Sequence, residues 1–246
     1  MLSKNKQKYI QSLQRKKIRQ KDGVFVVEGR KAIQSILDSA LQITEMFAIN
    51  TDADFLKQYD RQITRITEPE LKTISTYNSP DDGLAIVQIP ILQLNLNDIK
   101  DDLVLFLDRV NDPGNLGTII RLADWFGVKH ILMNKGTTDP FQNKCIQSTM
   151  GAIANVSLYQ VEHDVLIEAQ KENIPVFATK MEGDNVLVSD LPNHGILIMG
   201  NEANGISDEI FELSTHFLSI PKHESSISES LNVAMSCGII LSHFRK

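Results

Sequence analysis

The chain has 246 residues, 42% of them hydrophobic and 23% charged, with a formal net charge of −6. That length and balance fit a soluble globular chain of two domains, and no apolar run approaches the roughly 18 residues of a membrane span. Two cysteines, Cys145 and Cys237, exclude a disulfide framework, so a reducing, cytoplasmic compartment is expected. The basic start is followed by no apolar stretch, so no secretory signal is expected.

Residues 1–21 carry Lys4, Lys6, Lys8, Arg15, Lys16, Lys17, Arg19 and Lys21 and no acid, so the segment is +8 and the remainder −14. Such a segment makes either an electrostatic footprint on a nucleic-acid backbone or a solvated, partly disordered arm. Next come a strand at VFVVE (24–28), a helix at GRKAIQSILDSA (29–40) and a strand at ITEMFAI (43–49). Strands at ITRI (63–66) and LAIVQI (84–89) flank a short helix near EPELKTIS (68–75). The turn signal NSPDDG (78–83) precedes the last strand, and the polar run QLNLNDIKDD (93–102) reads as a linker. The expected boundary therefore divides 1–95 from 96–246.

From LVLFLD (103–108) onward, strands alternate with helices. The strand candidates are KHILMN (129–134), VSLYQ (156–160), PVFATK (175–180), ILIMG (196–200) and HFLSI (216–220). Helices are expected near 115–126, 140–150, 162–173, 207–213 and 229–244. This alternation predicts an α/β domain with a mostly parallel sheet, and connection rules alone predict an unknotted, doubly wound one. Ligands of such sheets bind beyond the carboxyl ends of the strands.

Three strand ends carry the polar residues. In LDRVNDPGNLGTIIR, Asn115 stands at a helix N-cap position, and Arg121 follows beside an apolar face of Leu116, Ile119, Ile120, Ala123 and Phe126, with Gly127 as the C-cap. Exposed amides and an arginine suit an anion such as phosphate; the alternative is an ordinary turn with Arg121 paired to Asp124 or another acid. In ILIMGNEANGIS, Gly200 and Gly205 permit a sharp turn, and Glu202 either orients a substrate hydroxyl, holds Arg121, or belongs to a plain polar turn. In SIPKHESSISESLNVAMSCGII, Ser230 and Glu229 are candidate caps of a helix whose small residues Ala234, Ser236, Cys237 and Gly238 allow close packing against the sheet or a second subunit. Histidines such as His194 and His223 lack HxH or HxxxH spacing, so no metal is expected. No GxGxxG follows any strand, which argues against a nucleotide-binding dehydrogenase.

The ordered set NDPGNxGxxxR, GNExxG, and IP followed by SLNVA resembles the three motifs of the SpoU, or TrmH, family of RNA ribose 2'-O-methyltransferases, over residues 103–246. FVVEGRKAIQSIL (25–37) is similar to the L30e-like substrate-binding domain that precedes the catalytic domain in the ribosomal RNA members. The resemblance implies a SPOUT-type parallel sheet with a deep trefoil knot, S-adenosyl-L-methionine as cofactor, a homodimer through the C-terminal domain, and RNA as substrate. Carried over by motif, Asn115, Arg121, Glu202, Ser230 and Asn232 are the expected catalytic set, and Thr179, Gly200, Ile220 and Leu231 the expected cofactor contacts. The loop between Pro221 and Ser230 departs from the family pattern in being more charged and lacking a glycine. The basic arm and extra domain point to ribosomal RNA, with transfer RNA or a non-catalytic role in ribosome assembly as alternatives.

Overall fold

The computed structural model describes residues 2–57, 59 and 62–245. The chain forms two compact units, Met1–Ile91 with Asp139–Asn155, and Leu92–Thr138 with Val156–Lys246. The first break falls close to the expected linker. The helix expected near 140–150 does not stay with the second α/β series: it belongs to the first unit.

The basic N-terminal segment is folded, which overturns its reading as a partly disordered arm. It forms α1 (Lys4–Ser12) and α2 (Lys16–Asp22). Ser3 caps α1, and Gly23, at φ 65°, closes α2 in the left-handed region that glycine adopts without strain. The cause lies under the lysines, where Ile10 and Leu13 join a core with Val24, Val26, Phe47, Leu71 and Ile86. Arg19 is the second anchor. Its side chain is 2% exposed; Nη1 donates to the carbonyls of Leu13 and Gln14 at 2.7 and 2.8 Å, and Nη2 meets Asp139 at 2.6 Å.

β1 (Val24–Glu28), α3 (Arg30–Leu37), β2 (Ile43–Ala48), β3 (Ile63–Arg65), α4 (Glu68–Ile74) and β4 (Gly83–Gln88) complete the sequence-local part of this unit. The sheet order is β1-β4-β2-β3, with β2 and β3 parallel and the other pairs antiparallel. Thr67 and Glu70 form a reciprocal capping box at the start of α4. Gly83 lies so close to β2 that a Cβ would stand 2.2 Å from the Phe47 carbonyl oxygen, so no other residue fits there.

The second unit opens with β5 (Leu103–Leu107), α5 (Pro113–Trp125) and β6 (His130–Asn134), after which α6 (Asn143–Thr149) belongs to the first unit. There Phe141 packs on Phe25, with ring centroids 4.9 Å apart. β7 (Ser157–Val161), α7 (Asp164–Lys171), β8 (Val176–Asn185), β9 (Gly195–Met199), α8 (Asp208–Phe211), β10 (His216–Ser219) and α9 (Val233–Phe244) follow. The strand order is β10-β8-β9-β5-β6-β7, and every pair is parallel, as the alternation predicts.

Side chains alternate across this sheet, so both faces are apolar and both are covered. Val104, Phe106, Val176, Ile196 and Ile198 meet Val165, Leu166 and Ala169 of α7 and Ile210 of α8. On the opposite face Phe177 meets Phe244 of α9 edge-on at 5.1 Å. α9 lies against α5 with Gly238 on Leu122, so the small residues of α9 serve this helix contact. The two helices run in the same direction, since Asn232 reaches Asn115 at one end and Arg245 reaches the Phe126 carbonyl at the other.

Arg19 supplies the test of the first unit. Removing one partner of a buried ion pair strands the other, which costs about 3–5 kcal/mol. Arg19→Met is expected to lower unfolding stability by that amount in urea titrations, and Arg19→Lys to recover little of it, because an ammonium cannot reproduce the planar fork. Wild-type stability of Arg19→Met would show that the arm is not anchored this way.

Candidate functional site

The three polar strand ends meet at the carboxyl edge of the second sheet. α5 begins earlier than expected: Asp112, not Asn115, is its N-cap and accepts the Asn115 amide at 2.9 Å, with Pro113 at the first helical position. Asn115 is thereby free for a different task. Its Nδ2 donates to Glu202 Oε1 at 3.0 Å, and its Oδ1 accepts from Asn232 Nδ2 at 2.9 Å.

Glu202 does not hold Arg121. Its carboxylate accepts the backbone amides of Asn111 and Asp112, each at 3.2 Å, in addition to Asn115. Burial pushes this carboxyl up, but the Asn115 side chain and the backbone amides of Glu202 itself, Asn111 and Asp112 outweigh that and hold it below its ordinary value. At the far end of the chain of bonds, Asn232 caps α9 by accepting from Ala234 and Met235 amides at 2.9 and 3.3 Å. α9 therefore starts at Val233 rather than near 229, and neither Ser230 nor Glu229 is its cap.

Arg121 stands on α5, exposed, and Ser230 is exposed two residues before Asn232. Among the described residues neither side chain has a hydrogen-bond or ion-pair partner, so Asp124 does not neutralise Arg121.

Three of the expected cofactor residues lie in or directly after the adjacent strands β8, β9 and β10, and the fourth lies ahead of α9. Thr179 is half-buried in β8, Gly200 is buried directly after β9, Ile220 is half-buried directly after β10, and Leu231 is exposed ahead of α9. The pairing Ala178↔Ile198 makes Thr179 and Gly200 near neighbours across β8 and β9. Gly200 also has a packing reason, since a Cβ would stand 2.4 Å from the Gly205 carbonyl carbon where the loop folds back.

Two residues of this edge escaped the sequence reading. Asp108, fully buried at the end of β5, accepts the Ser207 amide at 2.7 Å, the Ser207 hydroxyl at 2.8 Å, Arg109 Nε at 3.0 Å and Asn134 Nδ2 at 3.3 Å. Burial raises this carboxyl, yet these donors outweigh it and hold it below the usual range. Asn201, also buried, accepts from Ala203 and Asn204 amides and donates to the Arg109 carbonyl, which shapes the GNEANG turn. An acid closing the apolar run LVLFL was the available signal for Asp108. Cys237 is fully buried and its thiol is pushed up to about 12 by that burial, so it is no nucleophile. Among the described residues no three His, Cys, Asp or Glu cluster as metal ligands, and no helix is long and apolar enough to cross a membrane.

Glu202→Gln tests the gathering role of the carboxylate. A carboxamide keeps one acceptor oxygen and turns a donor toward an amide, so a loss of about 1 kcal/mol at neutral pH is expected. Because the Glu202 pKa is lowered on folding, its contribution is present above the unfolded value of about 4.3 and fades as pH falls through the lower folded value. Thermal melts are expected to show wild type and variant converging below about pH 4. A gap that is constant with pH would exclude an ionised Glu202 as its origin.

Comparison with known proteins agrees with this geometry. A model of the SpoU rRNA Methylase family matches residues 102–242, and a model of the MRM3-like substrate binding domain matches residues 4–85. The 23S rRNA (guanosine(2553)-2'-O)-methyltransferase RlmP of Bacillus subtilis (strain 168) is 27% identical over 237 residues, covering 95% of this chain and 93% of the relative. Further curated relatives are covered over 52% to 64% of their own length. A TrmH-family structure from Porphyromonas gingivalis is 34% identical with a TM-score of 0.89, covering 100% of this chain and 98% of the other. The AdoMet-bound rRNA methyltransferase of Sinorhizobium meliloti is 28% identical with a TM-score of 0.88, over 100% and 96%. The methylase match spans more than half of the chain and contains all three motifs that converge on Asn115, and on that ground the chain belongs to the SpoU rRNA methylase family.

Proposed function

We propose that this protein methylates the 2'-oxygen of a ribose in large-subunit ribosomal RNA, with S-adenosyl-L-methionine as methyl donor. The observation that carries the reading is the bonded chain Glu202, Asn115, Asn232, with Arg121 exposed on the same helix as Asn115 and without a partner among the described residues. The substrate class is supported by the full-length likeness to a 23S rRNA 2'-O-methyltransferase and by the substrate-binding match at residues 4–85. Methylation of transfer RNA and non-catalytic binding in ribosome assembly are the alternatives.

S-adenosylmethionine supplies an electrophilic methyl on sulfur, and Thr179, Gly200, Ile220 and Leu231 are the residues that would hold it. The chain's own task is positioning and charge stabilisation. A guanidinium is a delocalised cation with five donors and no acceptor, so Arg121 stabilises the developing alkoxide rather than removing the proton. Ser230, exposed and without a partner among the described residues, is available to hydrogen-bond the ribose. Asn115, Glu202 and Asn232 fix the relative places of the first, second and third motifs. The proton released from the ribose passes to solvent, to which Arg121, Ser230 and Asn232 are exposed.

We read residues 96–246 as the methyltransferase domain with a deep trefoil knot of SPOUT type, supported by family membership and by the β10-β8-β9-β5 order with a long segment leading from β10 to α9. Residues 1–95 form an L30e-like RNA-binding domain in this reading, supported by the substrate-binding match and the mixed sheet. The homodimer is supported by Trp125 on α5, Met235 on α9 and Leu231 just before it, large apolar side chains that are left exposed on this helix pair and its approach. An enzyme of ribosomal RNA with two buried cysteines that form no disulfide fits the cytoplasm.

Arg121→Ala is expected to lower methyl transfer to unmodified 23S rRNA by about 100- to 1,000-fold with cofactor binding retained. Mass spectrometry of the digested RNA is expected to show a ribose-methylated nucleoside only with active enzyme. Transfer to transfer RNA alone would select the first alternative. Cofactor-independent RNA binding with no transfer would select the second. Near-normal turnover by Arg121→Lys would remove the need for a planar fork.

A further inference from the structure

We infer that Arg109 is a second RNA-binding arginine of this site, contacting a backbone phosphate beside the methylated ribose. The inference rests on the reading of RNA as substrate and names a residue that positions it. Arg109 follows Asp108, the residue directly after β5, and stands two residues before Asn111, whose amide binds Glu202.

Its backbone is the first observation. Arg109 sits at φ 56°, a left-handed conformation that an arginine rarely adopts, where glycine or asparagine would be unstrained. The surroundings hold it there from three sides. Its carbonyl accepts Asn201 Nδ2 at 2.8 Å, and its Nε and Nη2 face the Asp108 carboxylate at 3.0 and 3.3 Å. Its methylenes lie over Gly136, where a Cβ would come within 3.0 Å of Cγ.

Asp108 does not account for the arginine. That carboxylate already receives the amide and hydroxyl of Ser207 and the amide group of Asn134, so a glycine at 109 would leave it bonded. What the arrangement does provide is a guanidinium held in one orientation while its side chain stays 39% exposed. Among the described residues Nη1 has no partner. A guanidinium fixed along one edge by a carboxylate, with the other edge open, is prepared for a phosphodiester oxygen.

Charge points the same way. The first unit carries 15 Lys or Arg and 12 Asp or Glu, net +3, so the second carries 10 and 19, net −9. RNA must bring its phosphates to the mouth of an acidic unit, and cations at the strand ends are what offset that repulsion. Strain retained at an exposed charge beside the site has a function to explain it.

The test measures binding of unmodified 23S rRNA by the full-length protein across a potassium chloride series, with cofactor binding and thermal melts alongside. Arg109→Gly keeps the backbone conformation and removes the charge. It is expected to weaken RNA binding about tenfold and reduce the log-log salt slope by about 0.7 to 0.9, the contribution of one phosphate contact. Cofactor affinity and melting temperature should stay at wild-type values, and Arg109→Lys should keep the salt slope. RNA affinity and slope unchanged in a folded, cofactor-binding Arg109→Gly would overturn the inference. If that variant melts early, Arg109→Asn, which tolerates the same φ, carries the same comparison. Wild type that binds RNA but transfers no methyl would sink the proposed function, and the binding comparison would still decide the role of Arg109.

Discussion

One carboxylate draws the site together. Glu202 accepts two backbone amides from the turn before α5 and one side-chain amide from Asn115, so the turn after β9 and the start of α5 cannot separate without stranding donors. Asn115 then accepts from Asn232, which caps α9. Residues 87 and 117 positions apart are joined by three polar side chains. The direction of the chain is fixed at both ends. An ionised carboxylate only accepts and a helix amide only donates, so the oxygen and nitrogen of each intervening asparagine have one consistent assignment. Asparagine is the residue that does this, because it can donate and accept in one short, rigid group.

The charge distribution divides labour between the units in the proposed reading. A net −9 unit is a poor partner for a polyanion but tolerates a sulfonium cation, whereas the +3 unit carries the lysines of α1 and α2. Among those, Lys4, Lys8, Lys16, Lys17 and Lys21 are exposed on helices pinned by Arg19. Affinity for RNA can then come from one unit while chemistry needs few cations in the other. Arg109 and Arg121 are two of the ten that the second unit has.

Much of this was legible in the sequence, and what was not has identifiable causes. Strand positions follow from apolar runs such as LVLFL and GILIM, which a sheet covered on both faces requires. The three motifs were legible as a set, and each alone looked like a polar turn. Asn115 was misread as a cap although Asp112-Pro113 carries the better signal, an acceptor followed by a residue with no amide to satisfy. Ser230 was misread for the same reason: several short polar residues precede α9, and only the partner Asn115 selects Asn232. The basic arm hid its order because the counter-charge of Arg19 lies at Asp139, 120 residues away. Likewise, periodicity marks α6 as a helix but cannot say which sheet it covers, and Phe25 decides that.

The bonds within the site also sort its residues. Every polar atom that Glu202 and Asn115 direct into the chain is already engaged there, and breaking those bonds to reach a substrate would dismantle the edge that presents it. Such groups hold geometry. Arg121 and Ser230 are exposed and unengaged among the described residues, so they can meet a ribose without losing an existing bond. Leaving a guanidinium without a partner costs little in water, and in a crevice emptied of water by substrate its charge acts at a much lower dielectric. In the proposed reading the same arginine is therefore nearly neutral for folding and strong for a developing alkoxide, and among the described residues it has no bond to give up when RNA arrives.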